Sequence, residues 1–149
     1  MPECTCAIIG YGYMGEIRRR MIEQHPALAL TVICESNPDK LEKEESFAVT
    51  HNPQSVIDSD VDAVFICTPN HLIPELTVKC LERGKHVFCE KPPGCTLEDI
   101  NCIREVEQAN PGTKLMFGFN HRYHPGVLRA KSIVDSGRLG KVITLRGLY

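Results

Sequence analysis

The sequence predicts an α/β fold built on a doubly wound, mainly parallel sheet. Three observations predict it. First, the apolar run Ala7-Ile8-Ile9 stops on three glycines spaced G-x-G-x-x-G (Gly10, Gly12 and Gly15), and a helical segment begins at once. Second, short apolar runs alternate with helical periodicity along the whole chain, the pattern of βαβ units joined by right-handed crossovers. Third, polar residues fall just past the carboxyl ends of those runs: Gly10, Glu35, Thr68 to Asn70, Glu90-Lys91 and Asn120 to Arg122. In an open parallel sheet such ends share one rim, and ligands bind there, near the switch in strand order.

Each element carries its own signal. Residues 16–24 place Ile17, Met21 and Ile22 at helical spacing, and His25-Pro26 ends the helix. A second strand over 28–34 stops at Glu35. Asn37-Pro38 reads as N-cap and first position of a short, charged helix over 39–45. A brief strand over 47–49, a helix over 53–59 and a strongly apolar strand over 61–67 follow. Thr68-Pro69-Asn70 breaks that strand. The next helix, 71–83, tolerates Pro74 near its first turn and is stopped by Gly84. A fifth strand over 86–89 runs into Glu90-Lys91-Pro92-Pro93. Thr96-Leu97-Glu98-Asp99 has the form of a capping box and opens a helix to residue 108. A sixth strand over 115–119 leads to Asn120, and Pro125 starts a helix to 136 that Gly137 stops. A seventh strand is expected over 142–148. Its apolar residues Leu145 and Leu148 would leave a bare edge, so self-association through residues 141–149, or disorder of that tail, is expected. The division expected is a dinucleotide-binding domain over 1–139 and the first strand of a second domain over 140–149.

Composition narrows the function classes. The formal net charge is −2, and the one basic block, Arg18-Arg19-Arg20, lies at a helix start where three consecutive side chains cannot share a face. It reads as solvated surface, and no nucleic-acid partner is expected. No apolar run approaches the ~18 residues of a membrane span. The first residues carry an acid and no basic region, unlike a secretory leader. Of eight cysteines, Cys4, Cys6, Cys34, Cys67 and Cys89 lie in or beside apolar runs, Cys95 and Cys102 lie in a helical segment, and no C-x-x-C pair occurs. They are expected to be buried thiols in a reducing cytoplasm. His121 and His124 lack a carboxylate or cysteine at matching spacing, so no metal site is expected.

The rim residues suggest specific chemistry. Gly10 permits a tight turn, Gly12 lets a pyrophosphate approach the backbone, and Gly15 lets the helix pack on the strand. Tyr13 and Met14 belong to the same turn, whose unpaired N–H groups face the phosphates. Glu35, about 20 residues past Gly15, can accept both hydroxyls of the adenosine ribose and would repel a 2′-phosphate, favouring NAD over NADP. Ser36, Asn37 and Lys40 soften that choice. Read plainly, Glu35 is a solvated acid at a strand end. Lys91 precedes a proline and is held in extended backbone, so its ammonium is aimed. Beside a nicotinamide it could give a proton to a substrate oxygen, and partial burial would lower its pKa toward working pH. Read plainly, it is part of a surface turn.

Taken together, G-Y-G-Y-M-G, Glu35, Thr68-Pro69-Asn70, the string Gly84-Lys85-His86-Val87-Phe88-Cys89-Glu90-Lys91-Pro92 and the string Gly118-Phe119-Asn120-His121-Arg122-Tyr123-His124-Pro125 resemble the Gfo/Idh/MocA oxidoreductases. The resemblance covers essentially the whole chain, and its later part is similar to members acting on sugars, including some of polysaccharide biosynthesis. It implies a Rossmann-type fold, an NAD(P)-dependent oxidoreductase and a sugar or cyclitol substrate. It also implies that Gly10, Gly12 and Gly15 hold the pyrophosphate and that Thr68, Pro69 and Asn70 line the nicotinamide side. Glu90 would contact the nicotinamide ribose, Lys91 would be catalytic, and Asn120 and Arg122 would flank the pocket. Where many relatives read T-P-N-x-x-H, this chain has Ile73, and His71 does not take that place. The family's second domain, which supplies a substrate wall, a histidine acid–base partner and usually the oligomer interface, is expected to be essentially absent. The isolated chain is therefore expected to bind NAD(H) with little turnover. The alternatives are a non-enzymatic dinucleotide-binding sensor or regulatory module and, more weakly, another nucleotide user such as a methyltransferase, against which Glu90-Lys91-Pro92 counts.

Overall fold

A computed structural model describes residues 3–41 and 46–147. The chain forms two compact units, Met1–Gly118 and Phe119–Tyr149.

The first unit holds six strands: β1 (Cys4–Ile9), β2 (Leu28–Cys34), β3 (Ala48–Thr50), β4 (Ala63–Ile66), β5 (His86–Cys89) and β6 (Leu115–Phe117). They pair in the order β3-β2-β1-β4-β5-β6, and every pairing is parallel. Four helices connect them: α1 (Tyr13–Gln24), α2 (Pro53–Ile57), α3 (Ile73–Glu82) and α4 (Leu97–Ala109). This is the doubly wound, Rossmann-type sheet that the alternation predicts. The strand order reverses between β1 and β4, which puts the switch point beside the glycine turn.

Side-chain alternation divides β1 between two cores. Ala7 and Ile9 pack with Val64, Ile66, Ile73, Leu81 and Cys89 on the face covered by α2, α3 and α4. Cys6 and Ile8 pack with Ile22 of α1, Ile33 and Phe47 on the other. One irregularity sets the level of the rim. The β1–β2 register shifts between Cys6, opposite Leu30, and Ala7, opposite Val32. The extra residue, Thr31, turns its hydroxyl back to the Cys6 carbonyl at 3.3 Å. Past this bulge Ile9 stands opposite Cys34, so Glu35 emerges level with Gly10.

Local signals explain the boundaries. Asn52 accepts from the Gln54 N–H at the start of α2. Thr96 and Asp99 close the expected capping box on α4. Gly84 ends α3 with φ +74°, a region closed to most side chains. Helix α1 begins at Tyr13 rather than at residue 16, because Gly12 acts as its N-cap.

Several expectations need correction. The helix expected over 39–45 is a single 3-10 turn, Pro38–Lys40, and residues 42–45 lie outside the described residues. Arg18 is not solvated surface but a largely buried side chain. Cys95 and Cys102 are exposed, whereas Cys6, Cys34, Cys80 and Cys89 are buried, and all eight thiols are free.

In the second unit a 3-10 turn (Asn120–Tyr123) precedes α5 (Pro125–Asp135), capped by the His124 ring, which accepts from the Gly126 N–H. The strand expected over 142–148 does not form across residues 142–147, and Leu148 lies outside the described residues. Ile143 and Leu145 are 91% and 82% exposed. A strand exists only through pairing, and among the described residues none pairs with this segment. Among those residues, too, no helix is long and apolar enough to cross a membrane.

Leu81 is fully enclosed beneath the sheet and away from the rim. Leu81→Ala should lower stability by about 2–5 kcal/mol in urea unfolding, and Thr96→Ala, which removes the cap of α4, by about 1 kcal/mol.

Candidate functional site

A single backbone row builds the rim. Cys34, Ile9, Ile66, Cys89 and Phe117 stand in register across β2, β1, β4, β5 and β6. Just past them the ladder continues. Glu35 N–H donates to Thr50 O, Gly10 to Cys34 O, Cys67 to Ile9 O, Glu90 to Ile66 O and Gly118 to Cys89 O, all at 2.8–3.0 Å. Five loops therefore leave the sheet at one level.

The glycines differ in why they are glycine. Gly10 has φ +92°, and a Cβ there would lie 2.8 Å from the Cys67 carbonyl oxygen. A Cβ on Gly15 would lie 2.4 Å from the Gly10 carbonyl oxygen, so its absence seats α1 on the end of β1. Gly12 has φ −86° and ψ −164°, extended backbone open to any residue, and a Cβ there would meet nothing within 4 Å. The protein's own packing does not require glycine at this position. Gly12 lines a cavity of about 760 Å³ at the switch point.

Gly10, Gly12, Tyr13, Met14, Glu35, Thr68 and Pro69 all line that cavity. Glu35 is 7% exposed. Its Oε2 accepts from the Tyr11 N–H at 2.7 Å, and its Oε1 accepts from the Asn37 N–H at 2.9 Å and the Ser36 hydroxyl at 3.2 Å. Three of a carboxylate's roughly four acceptor sites are thus filled, and one remains for a ligand hydroxyl. Burial pushes the Glu35 carboxyl up. The Asn37, Tyr11 and Ser36 donors and the charge of Lys40 outweigh it and hold the carboxyl below its ordinary value of 4.5. The buried Thr68 hydroxyl oxygen has no hydrogen-bond partner.

Of the other predicted residues, Asn70, Glu90 and Lys91 lie elsewhere on the rim. Asn70 and Lys91 are exposed, so the partial burial expected for Lys91 is not found, and the Lys91–Pro92 peptide is cis. Glu90 is buried and ion-paired to Arg18. Neither Asn70, Glu90 nor Lys91 lines the cavity. Asn120 and Arg122 belong to the second unit, where the Arg122 guanidinium lies 5.7 Å from the Tyr123 ring centroid.

The chain is a member of the Gfo/Idh/MocA family. The model of that family, described as an oxidoreductase family with an NAD-binding Rossmann fold, matches residues 4–119. The chain is 33% identical to the levoglucosan dehydrogenase of Pseudarthrobacter phenanthrenivorans, over all of this chain and 41% of that protein. It superposes on the crystal structure of myo-inositol 2-dehydrogenase from Lactobacillus plantarum with a TM-score of 0.87 at 33% identity, over 96% of this chain and 44% of that one. On scyllo-inositol dehydrogenase from Lactobacillus casei, solved with NAD(H) and scyllo-inositol, the TM-score is 0.86 at 29% identity, over 93% and 42%. The chain thus spans less than half the length of these relatives.

The cavity fits the dinucleotide of that family: an unfilled approach at Gly12, an acceptor at Glu35 and an unpaired hydroxyl at Thr68. Two participants escaped sequence reasoning. His51 lines the cavity, its Nδ1 2.7 Å from the Glu35 carbonyl oxygen, and no motif marks it. Arg18 did carry a signal, since Gly15, Arg18 and Ile22 follow one helix face and the outer two are buried.

The Glu35 carboxyl titrates lower in the folded chain than its ordinary value. Its contribution to stability is full above pH 4.5 and is lost as pH falls through the folded value. Thermal unfolding from neutral to strongly acid pH should therefore show a shallower acid decline for Glu35→Gln than for the wild type.

Proposed function

We propose that this chain is the cofactor-binding part of an NAD(H)-dependent oxidoreductase that moves hydride between nicotinamide and a hydroxyl or keto carbon of a cyclitol or sugar. The observation that carries the reading is Gly12, a glycine that the fold leaves unexplained and a pyrophosphate accounts for. The cyclitol and anhydrosugar dehydrogenases among its relatives support the substrate class.

The residues divide the work. The N–H groups of the first turn of α1 take the pyrophosphate, where the helix dipole favours negative charge. Glu35 takes an adenosine-ribose hydroxyl, and its charge discriminates against a 2′-phosphate. Thr68, Pro69 and Asn70 border the nicotinamide, and Glu90 accepts from its ribose. When bound, the dinucleotide supplies the hydride acceptor or donor. Lys91 holds the proton at the substrate oxygen, accepting it as a hydroxyl is oxidised and returning it on reduction. The relatives are more than twice as long, and the isolated chain is expected to bind with little turnover.

Calorimetric titration tests this reading. NADH should bind at least about tenfold more tightly than NADPH, a difference of about 1.4 kcal/mol. Equal or reversed affinities would remove Glu35 from its role. Gly12→Ala should weaken NADH by about tenfold or more with little change in melting temperature. Gly10→Ala, which forces a Cβ against the Cys67 carbonyl, should lower the melting temperature itself.

A further inference from the structure

The Arg18–Glu90 pair is a salt bridge that neither the glycine motif nor the Glu90-Lys91-Pro92 string announces. Arg18 lies on α1, one turn beyond Gly15, and reaches across to the loop after β5. Its Nε donates to Glu90 Oε1 at 2.8 Å, and its Nη2 contacts the same oxygen. The guanidinium carbon sits 4.4 Å from the Phe88 ring centroid, so the ring supports its face. The two side chains are 13% and 9% exposed.

The geometry of the pair is asymmetric. Arginine usually meets a carboxylate as a fork, one nitrogen to each oxygen. Here both nitrogens converge on Oε1. The other oxygen, Oε2, lies against Gly118, where a Cβ would stand 2.8 Å away. Among the described residues no donor reaches Oε2. A pair that served only to fasten α1 to the sheet would gain from a fork. This one leaves an acceptor unused on a buried carboxylate immediately before Lys91.

We propose that Arg18 is a positioning residue for the nicotinamide half of the site: by taking Oε1 with two nitrogens it holds the Glu90 carboxylate turned, with Oε2 left to a ligand hydroxyl. The inference rests on the reading of Glu90 as the acceptor for the nicotinamide ribose. It gives α1 two duties, since its first turn receives the pyrophosphate and its second sets the carboxylate for the far ribose. Gly118 has a matching part, leaving the space that Oε2 occupies.

Two ligands separate this from a purely structural bridge. ADP-ribose carries the adenosine and pyrophosphate but no nicotinamide, whereas NADH carries all of them. The 149-residue chain is titrated with each by calorimetry. The wild type should prefer NADH. Arg18→Gln, which removes the charge and keeps a donor, should weaken NADH about tenfold while changing ADP-ribose affinity by less than about twofold. Arg18→Lys should restore part of the NADH preference. Gly118→Ala, which crowds Oε2 and leaves Arg18 in place, should show the same selective loss and decides the matter if Arg18→Gln does not fold. Equal weakening of both ligands by Arg18→Gln would mean that the bridge only holds α1. An unchanged ratio in folded Arg18→Gln or in Gly118→Ala would likewise overturn the proposal. If the wild type bound neither ligand, the dinucleotide reading itself would fall, and this inference with it.

Discussion

The site depends on the register of five parallel strands. Each strand ends at the same level because each backbone N–H beyond it is held by the neighbour's carbonyl, from Glu35 through Gly10, Cys67 and Glu90 to Gly118. No side chain enforces this level. It follows from pairing, and pairing follows from burying Ile8 and Ile33 on one face and Ile9, Ile66 and Cys89 on the other. A slip of one residue in any strand would exchange its faces and move its loop off the rim. The bulge at Thr31 belongs to the same constraint. It exchanges the faces of β2 beyond Leu30, and with them the height at which Glu35 emerges.

The rim then has to hold two buried carboxylates, and it does so by different means. Glu35 is compensated mainly by local donors, two backbone N–H groups and a neighbouring hydroxyl. Its partners come with the glycine turn and its own loop, so the acid is set wherever those loops are set. Glu90 is compensated by a guanidinium on another element, far away in sequence. That arrangement ties α1 to β5, because removing either partner leaves a buried charge alone. In both cases the carboxylate is not fully saturated. Of the two, Glu35 borders the cavity and Glu90 does not.

The parts legible in the sequence were those with local causes. Strands β2 and β5 end where their apolar runs end, Thr96 and Asp99 form the box their spacing promised, and Gly84 stops α3. The rim residues were legible because each follows an apolar run. What was not legible had a distant cause. Arg18 shares a face of α1 with Gly15 and Ile22, but only the chain crossing that brings Glu90 to α1 gives it a partner. Thr31 reads as an ordinary strand residue, since a bulge is decided by two strands together. Residues 142–147 have the composition of a strand but no strand partner among the described residues, and propensity alone does not form one.

The three glycines show how far the fold can be separated from its ligand. Gly10 is required by its positive φ and by the Cys67 carbonyl, and Gly15 by the Gly10 carbonyl. Both would be needed in a protein that bound nothing. Gly12 is different, since its backbone suits any residue and its Cβ would enter empty space. In a bare scaffold a serine or aspartate there would cap α1 at least as well as glycine. Glycine forgoes that cap and keeps the backbone at the start of the helix open to close approach. The unused cap leaves the N–H groups of α1 open at its first turn, on the same helix that carries Arg18 to Glu90.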